Sequence, residues 1–279
     1  MLRDHWFLIL GIAAIAVPGI MLLARITWTT EQGAQGPIIL ATGLWLFARE
    51  YGPLKHLARP GRTKLVVPAF ALFTVGFLIG RIIGAVSIEW LFVSLLLLTV
   101  FYAYNGGRVT KGLWFPILYL FFLVPPPYSV TVALTGSLQL LITKAAVAVT
   151  SFFGLPVAFS GTALFIGPYE LLVAAACSGM NSLFSLLAIG LFYIFLRHRA
   201  DWRYAALLAA LVIPIAILTN LIRVLILVMI THWFGDAAAQ GLLHEAAGMM
   251  MFFVALFALM GVDAVLSPFR DRLFRKRPA

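Results

Sequence analysis

Three side chains in this sequence have the types that acyl transfer needs: Cys177, Arg223 and His244. Cys177 is the only cysteine, so no internal disulfide is possible and the thiol must be explained otherwise. A thiolate is the nucleophile of cysteine chemistry, and a nearby cation or imidazolium lowers its pKa. Histidine takes and returns protons near neutral pH. A guanidinium stays charged and can hold a substrate carbonyl or a developing oxyanion. The set therefore suggests acyl transfer through a thioester.

The neighbours of these residues admit a plainer reading too. Cys177 lies in Ala174-Ala175-Ala176-Cys177-Ser178-Gly179-Met180-Asn181, and small residues of this kind also suit an inert, closely packed helix. On a helix, however, Ser178, Ser182 and Ser185 recur at i, i+4 and i+7, and Asn181 shares a face with Cys177. A helix that merely faces lipid does not need that polar stripe. Asn220 precedes Arg223 by three residues and projects with it. Arg223 is followed by Val-Leu-Ile-Leu-Val-Met-Ile, and a charge inside apolar sequence is costly enough to suggest a function. It could equally be a structural partner of Glu170, Asp236 or Glu245. His244 is followed by Glu245 and, one turn on, by Gly248. His232 is a rival, but its Thr231-His232-Trp233-Phe234 setting reads as an interfacial anchor. With one cysteine, no helical spacing of histidine ligands and no His-Glu-x-x-His run, neither a metal nor another cofactor is expected.

The elements that must position these residues follow from composition. Of 279 residues, 63% are hydrophobic and 11% charged, whereas soluble chains run near 45–50% and 25%. This excludes a soluble enzyme, a disordered tail and a nucleic-acid-binding domain, and requires lipid as solvent. Apolar stretches fall at 6–24, 37–48, 65–85, 88–104 and 113–124, the last ending at Pro125-Pro126-Pro127, which no helix continues. Residues 128–154 carry enough Ser, Thr, Gln and Lys to be a tilted, re-entrant or interfacial helix. Residues 155–169 are rich in Gly, Pro and β-branched types and are expected to be non-helical at the membrane surface. Further apolar stretches run over 170–196, 204–234 and 244–266, the second too long for one span and interrupted by Asn220 and Arg223.

The expected architecture is an all-α integral membrane protein with about eight transmembrane helices and both termini cytoplasmic. Sixteen of the twenty basic residues then share one face, which the positive-inside rule makes cytoplasmic. The net charge of +10 is mostly that topology signal, although the tail cluster at 270–277 could also touch anionic membrane lipid. Of the remaining four, Arg25 and Arg81 are placed at helix ends, where they snorkel; Lys144 and Arg223 fall beyond the basic face. In this topology Cys177, Arg223 and His244 arrive from three helices at the same outer level. A single domain over 1–279 is expected, with generic spans in 1–112, a catalytic core in 113–266 and a basic cytoplasmic tail in 267–279.

At these residues the chain resembles the exosortase/archaeosortase family of membrane transpeptidases. The resemblance runs from about Leu113 to Leu266, through Val124-Pro125-Pro126-Pro127, Leu138-Gln139, Gly154-Leu155-Pro156-Val157 and Ala175-Ala176-Cys177-Ser178-Gly179. It continues at Asn220-Leu221-Ile222-Arg223 and His244-Glu245-Ala246-Ala247-Gly248. The resemblance implies a protease that cleaves C-terminal sorting signals of exported proteins, each made of a short motif, a transmembrane helix and a basic cluster. It implies Cys177 as nucleophile, His244 as general acid/base and Arg223 as oxyanion or substrate stabiliser; from their positions beside these three, Asn220, Ser178, Asn181 and Glu245 are expected to support them. Met180-Asn181 stands where many relatives carry a Leu-Arg type pair, so Asn181 is expected to tune the pocket. A core-only form is expected, without the added C-terminal domain of some relatives. Residues 155–169 are expected to form a lid or a partner for the substrate strand near the active site. Three other readings stay open on the residues alone: a transporter or channel with Arg223 lining its path, a structural or assembly factor that needs none of the three residues, and an acyltransferase acting on lipids or glycans.

Overall fold

The computed structural model describes residues 20–21, 24–28, 36–172, 179–198, 201–235 and 242–274. They fall into two compact units that divide after Tyr128. Among the described residues, four helices are long and apolar enough to cross a membrane: Thr63–Ile83, Val86–Gly112, Ser129–Phe152 and Trp202–Phe234. The protein is a helical multi-pass membrane protein.

In the first unit, helix α1 (Gly36–Leu54) packs on the short helix α4 (Trp114–Leu120). Gly43 makes the approach possible, since a Cβ there would lie 2.6 Å from Leu120 Cδ2. Thr42 Oγ1 and the Tyr119 hydroxyl meet beside it at 3.0 Å. After α4 a single 3-10 turn, Phe121–Leu123, leads to the three prolines, and the helix stops as expected. Helices α2 (Thr63–Ile83) and α3 (Val86–Gly112) form an antiparallel hairpin, turned by Gly84 at φ 73°. Gly80 sits so close to α3 that a Cβ would lie 2.7 Å from the Glu89 nitrogen. Arg81 does more than snorkel: its Nη1 pairs with Glu89 Oε1 at 3.0 Å, because the hairpin turn brings position 89 back alongside 81.

Helix α3 is kinked at Gly106, which takes φ 70° and ψ 178°. That region of backbone space is essentially reserved for glycine. The buried Gly106 Cα faces the carbonyl oxygen of Arg59, and any Cβ would collide with it. The kink lets the 58–62 segment bond to α3 through Arg59 N to Asn105 O (3.2 Å) and Gly61 N to Ala103 O (2.9 Å).

The second unit is built on helix α5 (Tyr128–Phe152), a small sheet, and helices α6 (Gly179–His198), α7 (Trp202–Phe234) and α8 (Leu242–Phe274). The segment expected to be irregular is an ordered antiparallel sheet, in the order β1 (Val157–Ser160), β2 (Ala163–Ile166), β3 (Tyr169–Leu172). Both connections are two-residue turns, with Ser160 opposite Ala163 and Ile166 opposite Tyr169. Gly161 (φ 60°) and Gly167 (φ 58°) occupy the first turn position, where a II′ turn needs glycine. Pairing satisfies the backbone polar groups that an irregular segment would leave exposed near lipid. Glu170, expected to open the next helix, therefore lies in β3.

Alternation along β2 turns Leu164 and Ile166 inward, and β3 adds Leu171. They pack with Ile142 and Ala146 of α5 and with Val224, Leu227 and Val228 of α7. A second core joins α6, α7 and α8 through Leu186, Ile194, Leu208, Val212, Ala255 and Leu259. Gly190 opens the space where they meet, with Leu259 and Val212 at 3.1 and 3.2 Å from its Cβ position. Helix α7 is one unbroken helix of 33 residues, capped by Asp201 accepting from the Tyr204 nitrogen. Asn220 and Arg223 do not interrupt it; their helix-facing burial carries them through the apolar run.

The kink at Gly106 yields a stability prediction. Gly106→Ala forces the backbone out of its glycine-only region and the methyl into the Arg59 carbonyl. A loss of roughly 1–3 kcal/mol is expected, read as a lower Tm in detergent, whereas Gly136→Ala, which meets no neighbouring atom, should be neutral or stabilising.

Candidate active site

Arg223 and Asn220 stand one helical turn apart on the inner face of α7, 3% and 5% exposed. They adjoin Val224, the first α7 residue of the core that carries the sheet. The sheet lies toward the Phe234 end of α7: the Tyr169 hydroxyl of β3 is 3.3 Å from the Cβ position of Gly235. His232, Trp233 and Phe234 are exposed there, in keeping with the anchor reading of His232. Glu170 is exposed on β3.

Cys177, Ser178 and Asp236 lie outside the described residues. The backbone is described for Asn181 near the start of α6 and for His244 and Glu245 in the first turn of α8.

At the opposite ends of these three helices lies a buried polar cluster. Asp263 of α8 is 1% exposed and accepts hydrogen bonds from Tyr193 of α6 (2.6 Å) and Tyr204 of α7 (2.8 Å). The Nε2 of His198, at the end of α6, is 2.9 Å from the same carboxylate, and its ring packs edge-on against Tyr204 at 4.8 Å. Arg197 approaches from the surface, its Nε 3.3 Å from Asp263 Oδ2. A carboxylate taken out of water requires such partners.

This cluster sets the register of α6, α7 and α8. Nineteen residues back from His198 along α6 is Gly179, two residues past Cys177. Nineteen residues on from Tyr204 along α7 is Arg223, and nineteen back from Asp263 along α8 is His244. At 1.5 Å per residue each path is about 28 Å, close to the roughly 30 Å of a bilayer's hydrocarbon layer.

A model of the transmembrane exosortase family matches residues 27–261. The chain belongs to the transmembrane exosortase family. No match is found among curated proteins or among solved structures. The family match begins well before Leu113, so the exosortase-type sequence includes most of the first unit, which the resemblance had left generic. Membership carries a membrane transpeptidase or protease role and, with it, protein substrates that bear sorting signals.

In this exosortase-family chain, the Asp263 cluster is the feature that sequence reading passed over. A signal was present: Asp263 is a charge inside the apolar run 244–266, the same argument that singled out Arg223. Its partners lie 59 to 70 residues away in sequence and no local spacing links them.

Removing the carboxylate should loosen all three helices at once. Asp263→Ala strips two buried donors, Tyr204 and His198, and the half-buried Tyr193 of their acceptor and is expected to cost about 3 kcal/mol or more, measured by unfolding in detergent. Asp263→Asn keeps the shape and should cost less. Arg197→Gln, at an exposed partner, should cost no more than about 1 kcal/mol.

Proposed function

We propose that this protein is a membrane-embedded cysteine transpeptidase that cleaves C-terminal sorting signals of exported proteins at the outer face of the cytoplasmic membrane. The observation that carries the reading is the equal path of nineteen residues from the Asp263 cluster to Gly179, Arg223 and His244 on three adjacent helices. The cluster lies where α6 ends and α7 begins, and the sequence there carries Arg197, Arg199 and Arg203, so the positive-inside rule makes its end cytoplasmic. One hydrocarbon thickness away, the three candidate residues then share the outer level.

The Cys177 thiol gives its proton to His244, and the thiolate attacks the scissile carbonyl carbon of the substrate. The tetrahedral oxyanion is held by the Arg223 guanidinium, which Asn220 accompanies on the same face of α7. The C–N bond breaks as His244 gives its proton to the leaving amine. The released transmembrane helix stays in the bilayer, and a thioester remains on Cys177. Water or an amine, deprotonated by His244, attacks the thioester and restores the thiol. Asn181 and Glu245 support the site from the first turns of α6 and α8, and Ser178, next to Cys177 in sequence, supports it too. Asp263, His198, Tyr193 and Tyr204 are positioning residues at the far end of the same helices.

The sheet suits an extended substrate. β3 is an edge strand, and only residues 173–176 separate its end from Cys177. A substrate motif pairing along that edge would align its carbonyl with the thiol and satisfy its own backbone groups in a site shielded from water.

Coexpression with an exported protein ending in motif, apolar helix and basic cluster tests the proposal. Cys177→Ala and His244→Ala should abolish processing, and Cys177→Ala should also abolish any thioester-linked adduct. Arg223→Lys keeps the charge but loses the planar fork, and should lower processing by about tenfold or more. Normal cleavage by Cys177→Ala would exclude the nucleophile, and full activity of Arg223→Lys would exclude a geometric role for the guanidinium.

A further inference from the structure

The first unit holds a cleft of about 670 Å³ where α2 begins and the kinked end of α3 finishes. Its size is that of a small-ligand site. Twelve residues line it, and they include Arg59, Arg62, Arg108 and Lys111 but no carboxylate. Tyr102 and Asn105 form its half-buried polar wall.

Basic residues in a loop serve topology wherever in the loop they lie. Here they are gathered from two segments more than 40 residues apart around one concavity. The backbone that gathers them is specialised. Gly106 adopts its glycine-only conformation and touches the Arg59 carbonyl, and Gly61 packs on Tyr102, where a Cβ would lie 2.6 Å from the carbonyl oxygen. The two backbone bonds from 59 and 61 to α3 hold the walls together, and Tyr51 fixes Asn105 with a 2.8 Å hydrogen bond to its Oδ1. Four cations held around a framed cleft repel one another unless an anion sits among them.

We propose that this cleft binds the phosphate group of an anionic ligand. Arginine forks match phosphate oxygens, and Lys111 adds a point charge. Leu65, at the rim, opens an exposed apolar stripe of α2 that continues at heptad spacing through Leu72 and Ile79. A phosphate in the cleft with an acyl chain along that face describes an anionic phospholipid. A soluble phosphate would use the cations and leave the apolar face idle.

The test uses the full chain in phosphatidylcholine nanodiscs, titrated with fluorescent phosphatidylglycerol, and separately in detergent, titrated with inorganic phosphate. Arg59→Gln/Arg108→Gln should weaken phosphatidylglycerol binding about tenfold or more. Arg199→Gln/Arg203→Gln, which removes the same charge elsewhere, should change it less than about twofold. Lys111→Gln is a milder second variant, expected to weaken binding about threefold. The Tm of each variant shows that it folds. Binding of inorganic phosphate alone, lost in the same cleft variants, would support the phosphate site and exclude a lipid as its source. Equal losses in the two double variants, or no loss in either, would overturn the proposal.

Discussion

A carboxylate at 1% exposure inside a hydrophobic helical bundle has to be surrounded by donors. Asp263 meets that requirement by drawing one tyrosine from α6, one from α7 and the histidine that ends α6. Apolar side chains in lipid provide little to fix how far one helix slides along another, since lipid is as apolar as leucine. Directional bonds to one buried oxygen pair do fix it. Gly190 and the Leu186–Leu259 core then close the bundle above the cluster. The levels of Gly179, Arg223 and His244 at the other ends of the three helices follow from that register.

The same division of labour recurs in the rest of the molecule. Glycines set how closely elements approach: Gly43 under Leu120, Gly80 against Glu89, Gly106 against Arg59. Polar contacts then choose one arrangement among those that close packing allows, as in the Arg81–Glu89 pair across the α2–α3 hairpin. The sheet follows a related rule. Backbone groups near lipid must be paired, and tight turns at Gly161 and Gly167 let a short non-helical segment pair with itself. One face of that sheet is then free to pack beside Arg223 through Val224.

Membership of the transmembrane exosortase family accounts for a membrane transpeptidase or protease role on protein substrates that bear sorting signals. It leaves the first unit without a stated role, although the family match covers most of it. The glycine-framed basic cleft at the α2–α3 hairpin is a specific piece of architecture there, and its chemistry is that of phosphate recognition.

Composition and periodicity by themselves determined the solvent of this protein, the helical class, most helix limits and the stop at Pro125–Pro127. They could do so because apolar length, proline and charge act locally along the chain. Arg223, with Asn220 beside it, was also legible, because a charge within apolar sequence announces itself without its partners. Three features were decided only by tertiary structure. Residues 155–172 had turn glycines but too little apolar alternation to show a sheet, which exists because three strands pair and one face finds α5 and α7. The Arg81–Glu89 pair needed the hairpin turn at Gly84. The Asp263 cluster needed three helices to meet, since hydrogen bonds between residues 59 to 70 positions apart leave no spacing in the sequence to read.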